Sequence, residues 1–340
     1  MNSREIVVRT LEFQSPERIA MSLPAPYPND LCWGWTARDP NRPGTPWQQQ
    51  ADGSWLMVDE WGNVWARLES ISKGEVAKGA LESWEQMKTH PWPDYTIPAR
   101  YDPARKVFAE NPDKFKICGL PGFPFAVARY LRRMEQFLAD LLLDEENVVA
   151  LLGKVEGIIG DAIRGAAGAG ADAVMFAEDW GTQNQLLVSP STWCRIFKPG
   201  FRRLCSLAHE NNLYVFMHSC GFIYEIIGDL IDSGIDLLQL DQPQLMGVNR
   251  LADEFGGKVT FWSPVDIQKT LQTRDAAVIE ADARLMIRRL GMEGRGGFMA
   301  GYYGSNEAIG LDPKWQDVAC RAFVKYGTKT MMNEEERLEA

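Results

Sequence analysis

The segment Asn212-Leu-Tyr-Val-Phe-Met-His218-Ser-Cys220-Gly221 delivers an imidazole and a thiol, two residues apart, at the end of an apolar run. Residues i and i+2 of an extended chain point to the same side, so His218 and Cys220 face one space and can share one ion. Nitrogen and sulfur together suit zinc, whereas magnesium and calcium take oxygen ligands. Gly221 lets the backbone turn closely beside such a site. A His-x-Cys pair alone is a weak signal, because a free Cys is most often a small buried hydrophobe. Its weight comes from its place at a predicted strand end, in a chain with only 3 His among 340 residues. His90, in a loop rich in Pro and Trp, and His209, at a predicted helix end, read as structural.

Such a pair needs elements to hold it. From Phe115 onward short apolar runs alternate with amphipathic stretches, which is the pattern of β/α units. Strands are predicted at 116–120, 173–177, 214–217, 237–240, 259–262 and 297–300. Helices are predicted over 124–143, 147–167, 189–211, 223–232, 251–255, 275–290 and 315–326, with Ser189-Pro190 as N-cap and N1 of the third. No Gly-rich phosphate loop occurs, so a closed (β/α)8 TIM barrel is favoured over a Rossmann sheet. Barrel chemistry sits at the C-terminal ends of strands. The candidates are therefore Glu178-Asp179-Trp180-Gly181, His218-Ser219-Cys220, Asp241-Gln242, Ser263 to Asp266, and Gly301-Tyr302-Tyr303-Gly304.

The front of the chain has a different texture. It is rich in Pro and Trp, with a helix predicted over 4–13 and a hairpin over 55–66 that turns at Gly62-Asn63. Residues 1–114 are expected to form an extension that packs on or lids the barrel. Residues 115–330 supply the main part of the barrel, in one domain overall, and 331–340 form a frayed polar tail. Trp33, Trp35, Trp55, Trp61 and Trp65 serve either plain packing or an aromatic wall over the barrel mouth; the second use would favour a hydrophobic or aromatic ligand.

Composition narrows the function further. A hydrophobic fraction of 45% and a charged fraction of 24% are ordinary for a globular protein. A net charge of -10 argues against a nucleic-acid or anionic-membrane surface. Six Cys are scattered with no C-x-x-C pair, as in a reduced chain without a disulfide framework. No signal-peptide core and no apolar run of about 18 residues is present, which together read as a cytoplasmic protein. Either a monomer or a homodimer fits this composition.

The rim residues resemble the uroporphyrinogen decarboxylase superfamily, particularly its corrinoid-dependent methyltransferases. The resemblance spans about Ser3 to Gly327. It is carried by Glu178-Asp179-Trp180-Gly181-Thr182-Gln183, Ser189-Pro190-Ser191-Thr192-Trp193, His218-Ser219-Cys220-Gly221, Gly234-Ile235-Asp236 and Gly296-Gly297-Phe298. It implies a (β/α)8 barrel. True decarboxylases of the superfamily carry an Arg-Gln-Ala-Gly-Arg segment near the front, where this chain reads Arg18-Ile-Ala-Met-Ser-Leu. Methyltransferases of the superfamily hold zinc through a His-x-Cys pair, and His218 and Cys220 match that element. Many also supply a Cys from a Gly-Cys-Gly element after the last strand, where this chain has Gly301-Tyr302-Tyr303-Gly304. The resemblance leaves the third ligand to Glu178 or Asp179, with Cys320 a weaker alternative inside the last helix.

The implied activity is that of a zinc enzyme moving a methyl group between a small molecule and a corrinoid. The small molecule is either a donor, such as a methyl ether, or a thiol acceptor. This chain has no Asp-x-His-x-x-Gly cobalamin segment, so the corrinoid is expected on a partner protein. Asp179 or Glu178 would act as ligand or proton donor, and Tyr302 or Tyr303 would hydrogen-bond the leaving group. Trp180, Gln183, Gln242 and Asp266 are the expected substrate-binding residues. The alternatives are a metal-free decarboxylase or lyase on the same barrel, acting on a small carboxylated substrate, and a non-catalytic binding protein with a vestigial His-Cys pair.

Overall fold

The computed structural model describes residues 1–70 and 72–331; the expected fraying over 332–340 lies outside them. Helix α1 (Ser3–Leu11) is followed by strands β1 (Ala20–Met21) and β2 (Leu31–Gly34). Strands β3 (Thr45–Gln49), β4 (Trp55–Val58), β5 (Val64–Arg67) and β6 (Glu75–Lys78) come next, then α2 (Asp102–Glu110). The β/α alternation begins with β7 (Phe115–Gly119), α3 (Pro124–Arg132), α4 (Met134–Leu143), α5 (Glu145–Gly168) and β8 (Ala173–Ala177). It continues through α6 (Pro190–Thr192), α7 (Lys198–Glu210), β9 (Tyr214–His218), α8 (Ile227–Asp232) and β10 (Leu237–Gln239). Helix α9 (Val248–Phe255), β11 (Thr260–Ser263), α10 (Ala276–Leu290), β12 (Phe298–Ala300) and α11 (Lys314–Tyr326) complete it.

Eight strands pair in parallel in the order β1-β12-β11-β10-β9-β8-β7-β2. The two ends of this sheet meet where Asp30 N–H donates to the Met21 carbonyl at 2.8 Å, so the barrel is nearly closed. Arg18 holds the seam with a two-pronged bond to the Asp30 carboxylate, at 2.7 and 2.6 Å. The fold is thus the expected (β/α)8 barrel. Its interior is filled by alternate residues of successive strands, including Leu31, Phe115, Ile117, Ala173, Phe216, Leu237, Trp262 and Met299. Helix α1 closes the N-terminal end through Ile6, Val7 and Leu11. No helix among the described residues is long and apolar enough to cross a membrane.

Two expectations need correction. The boundary at 115 cuts through the barrel, because β1 and β2 lie before it. These strands have 2 and 4 residues, too short for an alternating pattern to register. The helix predicted over 124–143 is two helices, broken at Arg133 with φ 63°. The break frees the Leu131 carbonyl to accept from Leu81 N–H at 2.9 Å, which ties the segment after β6 to the barrel. Both helices bury apolar side chains on the same layer, so the periodicity runs on across the break.

Strands β3 to β6 form a separate antiparallel sheet, of which only the β4–β5 hairpin was legible. It sits beside the barrel mouth, with Trp65 of β5 against Tyr130 of α3 at 4.8 Å between ring centroids.

Candidate metal centre

Strands β8, β9 and β10 point the same residue phase into the barrel. Met175 and Ala177 are continued by Asp179, Phe216 by His218 and Cys220, and Leu237 by Gln239 and Asp241. The register pairs Ala177 with His218 and Gln239 with His218, so these side chains gather at one level beyond the strand ends. Two glycines permit the backbones to approach there. A Cβ on Gly221, whose φ is +79°, would lie 2.4 Å from the Gly181 carbonyl oxygen, and one on Gly181 would lie 2.5 Å from Phe222 N.

One ligand atom from each of Asp179, His218 and Cys220 lies within 4.8 Å of the others. His218 Nε2 is 3.2 Å from Cys220 Sγ and 3.6 Å from Asp179 Oδ1. With zinc–nitrogen and zinc–sulfur bonds near 2.0–2.3 Å, a tetrahedral site has ligand–ligand edges of about 3.3–3.8 Å. The donor set and its spacing therefore fit a zinc ion.

The surroundings fit as well. The Gln239 amide donates from Nε2 to Asp241 Oδ1 at 2.8 Å, which turns its Oε1 toward His218 Nδ1 in a short hydrogen bond. His218 must then carry its proton on Nδ1 and present the Nε2 lone pair to the cluster, the arrangement a metal-bound imidazole needs. Cys220 N–H donates to Asp179 Oδ1 at 2.9 Å and fixes that carboxylate, while Arg129 of α3 approaches Asp179 Oδ2 at 3.7 Å. Burial, and then the negative charges of Asp179 and Asp241, push the Cys220 thiol up to about 12. A bound dication reverses that balance, since metal binding displaces the thiol proton.

The other expected residues fall in several places. The alternation that brings Asp179 inward turns Glu178 outward, so Glu178 is not part of the cluster. It is fully buried, and its Oε1 accepts from Ala126 N–H at 3.0 Å in the first turn of α3. Desolvation raises its carboxyl to about 8, which makes it a neutral structural group near pH 7 and not a metal ligand. Trp180 is likewise outside the mouth, buried against Phe125 at 3.9 Å and Phe197 at 4.8 Å, so it is placed to pack and not to bind substrate. Gln183 is exposed on the loop after β8.

Gln242 is buried and accepts from Gly221 N–H at 3.0 Å, holding the turn behind Cys220. Asp266 is spent on backbone amides, accepting from Gln268 and Lys269 of its own loop and from Gln244 in the segment between β10 and α9. Tyr303 is half-buried after β12, and burial, then the negative charges of Asp241 and Cys220, raise its hydroxyl pKa. Tyr302 instead accepts from Asn306 Nδ2 at 2.8 Å. Cys320 is buried in α11, outside the cluster. His90 packs edge-on against Trp92, and His209 pairs with Asp236 at 2.9 Å.

Sequence reasoning missed Gln239, Arg129 and Lys73. Gln239 had a readable signal, as the polar residue on the inward phase of Leu237-Leu-Gln-Leu. Arg129 and Lys73 had none. Arg129 reaches the site from α3, and the positive charge of Lys73, between β5 and β6, works against the groups that raise the Cys220 thiol.

The sequence model of the family described as uroporphyrinogen decarboxylase (URO-D) matches residues 72–325. No curated protein matches the chain in sequence. Among solved structures, a methyltransferase from Methanosarcina mazei is similar with a TM-score of 0.60 at 15% identity, over 96% of this chain and 86% of that one. A structure of L-ribulose 3-epimerase is similar with a TM-score of 0.47 at 14% identity, over 72% of this chain and 85% of that one. Likenesses at these identities concern the fold alone.

Proposed function

Because this chain belongs to the uroporphyrinogen decarboxylase family, we propose that it is a methyltransferase of that family. In this reading it moves a methyl group between a small molecule and a corrinoid carried by a partner protein, with a zinc ion held by Asp179, His218 and Cys220. The observation that carries the reading is the convergence of these three side chains within 4.8 Å at the strand ends, with Gln239 and Asp241 lined up behind His218.

When bound, the ion supplies Lewis acidity, which holds a thiol as thiolate near neutral pH or stabilises the leaving atom of a methyl donor. The chain's own groups do the rest. Gln239 keeps His218 in the ligating tautomer. Asp179 offers one oxygen to the cluster and is steadied by the Cys220 amide and Arg129. Tyr303, a phenol that is protonated at neutral pH whatever its surroundings, would donate its hydroxyl proton in a hydrogen bond to the leaving atom.

Metal content of protein purified without chelator tests this directly. About one zinc per chain, lost in His218→Ala and Cys220→Ala and reduced in Asp179→Ala, is expected. A folded parent protein without metal would overturn the reading in favour of a metal-free lyase.

A further inference from the structure

We propose that the cleft between the antiparallel sheet and α3 is the seat for the ring of an aromatic methyl donor with an anionic substituent, a substrate class that rests on the methyltransferase reading. The cleft has a volume of about 330 Å³ and is lined chiefly by Arg38, Trp61, Trp65, Pro121, Val127 and Tyr130. That volume lies within the range of small-molecule sites, which combine apolar walls with few polar groups.

The polar groups show what the cleft can recognise. Asp59 is committed to Asn63 Nδ2 at 3.0 Å and Trp65 Nε1 at 2.7 Å. Glu60 is committed to Arg100 at 2.8 and 2.9 Å and to the Tyr95 hydroxyl at 2.6 Å. What remains for a ligand is aromatic and apolar surface together with Arg38. The exposed guanidinium of Arg38 has one hydrogen bond among the described residues, to the Pro43 carbonyl at 2.9 Å. An aromatic face paired with a planar cation fits a flat ring bearing a carboxylate or similar anion.

The cleft also adjoins the metal cluster. Tyr130, whose ring forms part of its wall, accepts at its hydroxyl from Arg129 at 3.2 Å, and the same guanidinium reaches Asp179. Arg129 is nearly buried, and its Nε has no partner among the described residues. It stands at the border between cleft and cluster, where a ligand's polar atom would meet it. Trp35 lies across Gly119 at the end of β7, two residues before Pro121 of the cleft, and stacks on Trp33, whose ring centroid is 6.3 Å from that of Trp262 in the barrel. Aromatic surface thus continues from the cleft to the end of β7.

The test is calorimetric binding of para-methoxybenzoate and methoxyacetate, which share a methyl ether and a carboxylate and differ in the ring. The zinc-loaded protein is expected to bind the aromatic probe at least about tenfold more tightly, a ratio expected from ring burial and stacking. Trp65→Leu should erase that preference and Trp65→Phe should retain it. Arg38→Gln should weaken para-methoxybenzoate but not para-methoxybenzamide. Equal binding of the two ethers, or a preference untouched by both Trp65→Leu and Arg38→Gln, overturns the proposal. Zinc content is read in the same samples. A Trp65-dependent preference in protein without metal would retain the ring pocket and reject the methyltransferase reading, whereas one zinc per chain without ring preference would do the reverse.

Discussion

The two sheets of this protein handle the same residue types in opposite ways. In the parallel barrel both faces are covered, and Trp180, Phe216 and Leu237 have no measurable exposure. In the antiparallel sheet every residue of β4 and β5 is only half-buried, on either face. A parallel sheet is enclosed by its crossover helices, whereas an antiparallel ribbon needs no such cover. Polar side chains therefore enter the barrel only at the strand ends, where the ladder holds them in register. The ribbon can keep Trp47, Trp55 and Trp65 partly accessible. One sheet provides rigidity for chemistry, and the other provides surface for shape.

Removing one Trp from the barrel's buried layer and one from the antiparallel sheet tests this contrast most strongly. Trp180→Ala empties a site packed by Phe125, Trp193 and Phe197 and should cost about 3–5 kcal/mol of stability. Trp55→Ala, in the half-exposed sheet, should cost under about 1 kcal/mol. Denaturant unfolding of both variants reads the difference, and similar losses would mean that the small sheet is as tightly built as the barrel.

A smaller effect probes the strand-end register. Gln239→Leu leaves all three ligands in place but removes the partner of His218 Nδ1, and should weaken zinc about 10- to 100-fold in a chelator competition. Unchanged affinity would show that the ladder alone orients the imidazole.

The smallest effect belongs to Glu178, on the outward phase beside Asp179. Its folded-state value of about 8 lies above the ordinary 4.5. The neutral form is thus favoured by folding, and the stability it contributes is full below pH 4.5 and falls away as pH rises toward 8. Glu178→Gln keeps the acceptor for Ala126 N–H without an ionisable proton. It should raise the melting temperature by a few degrees at pH 8 and change little at pH 4.5. A metal affinity unchanged in this variant would also keep Glu178 out of the cluster.

Much of the barrel was legible because its signals are local. The alternation from Phe115 onward marked β7 through β12, and the i, i+2 spacing of His218 and Cys220 fixed their common direction without reference to any other strand. The sequence could not choose between Glu178 and Asp179, because adjacent residues point to opposite faces and the choice depends on where β8 ends against β9. Nor could it bring in Arg129 or Tyr130, which join the site from α3 through packing between segments far apart in the chain. Strand β1 was invisible at 2 residues, since its place is set by Met299 and Ala300 of β12 beside it. Local pattern determined the kind of fold and two members of the candidate cluster; register and packing between distant segments decided the third member, the relay behind His218 and the cleft beside it.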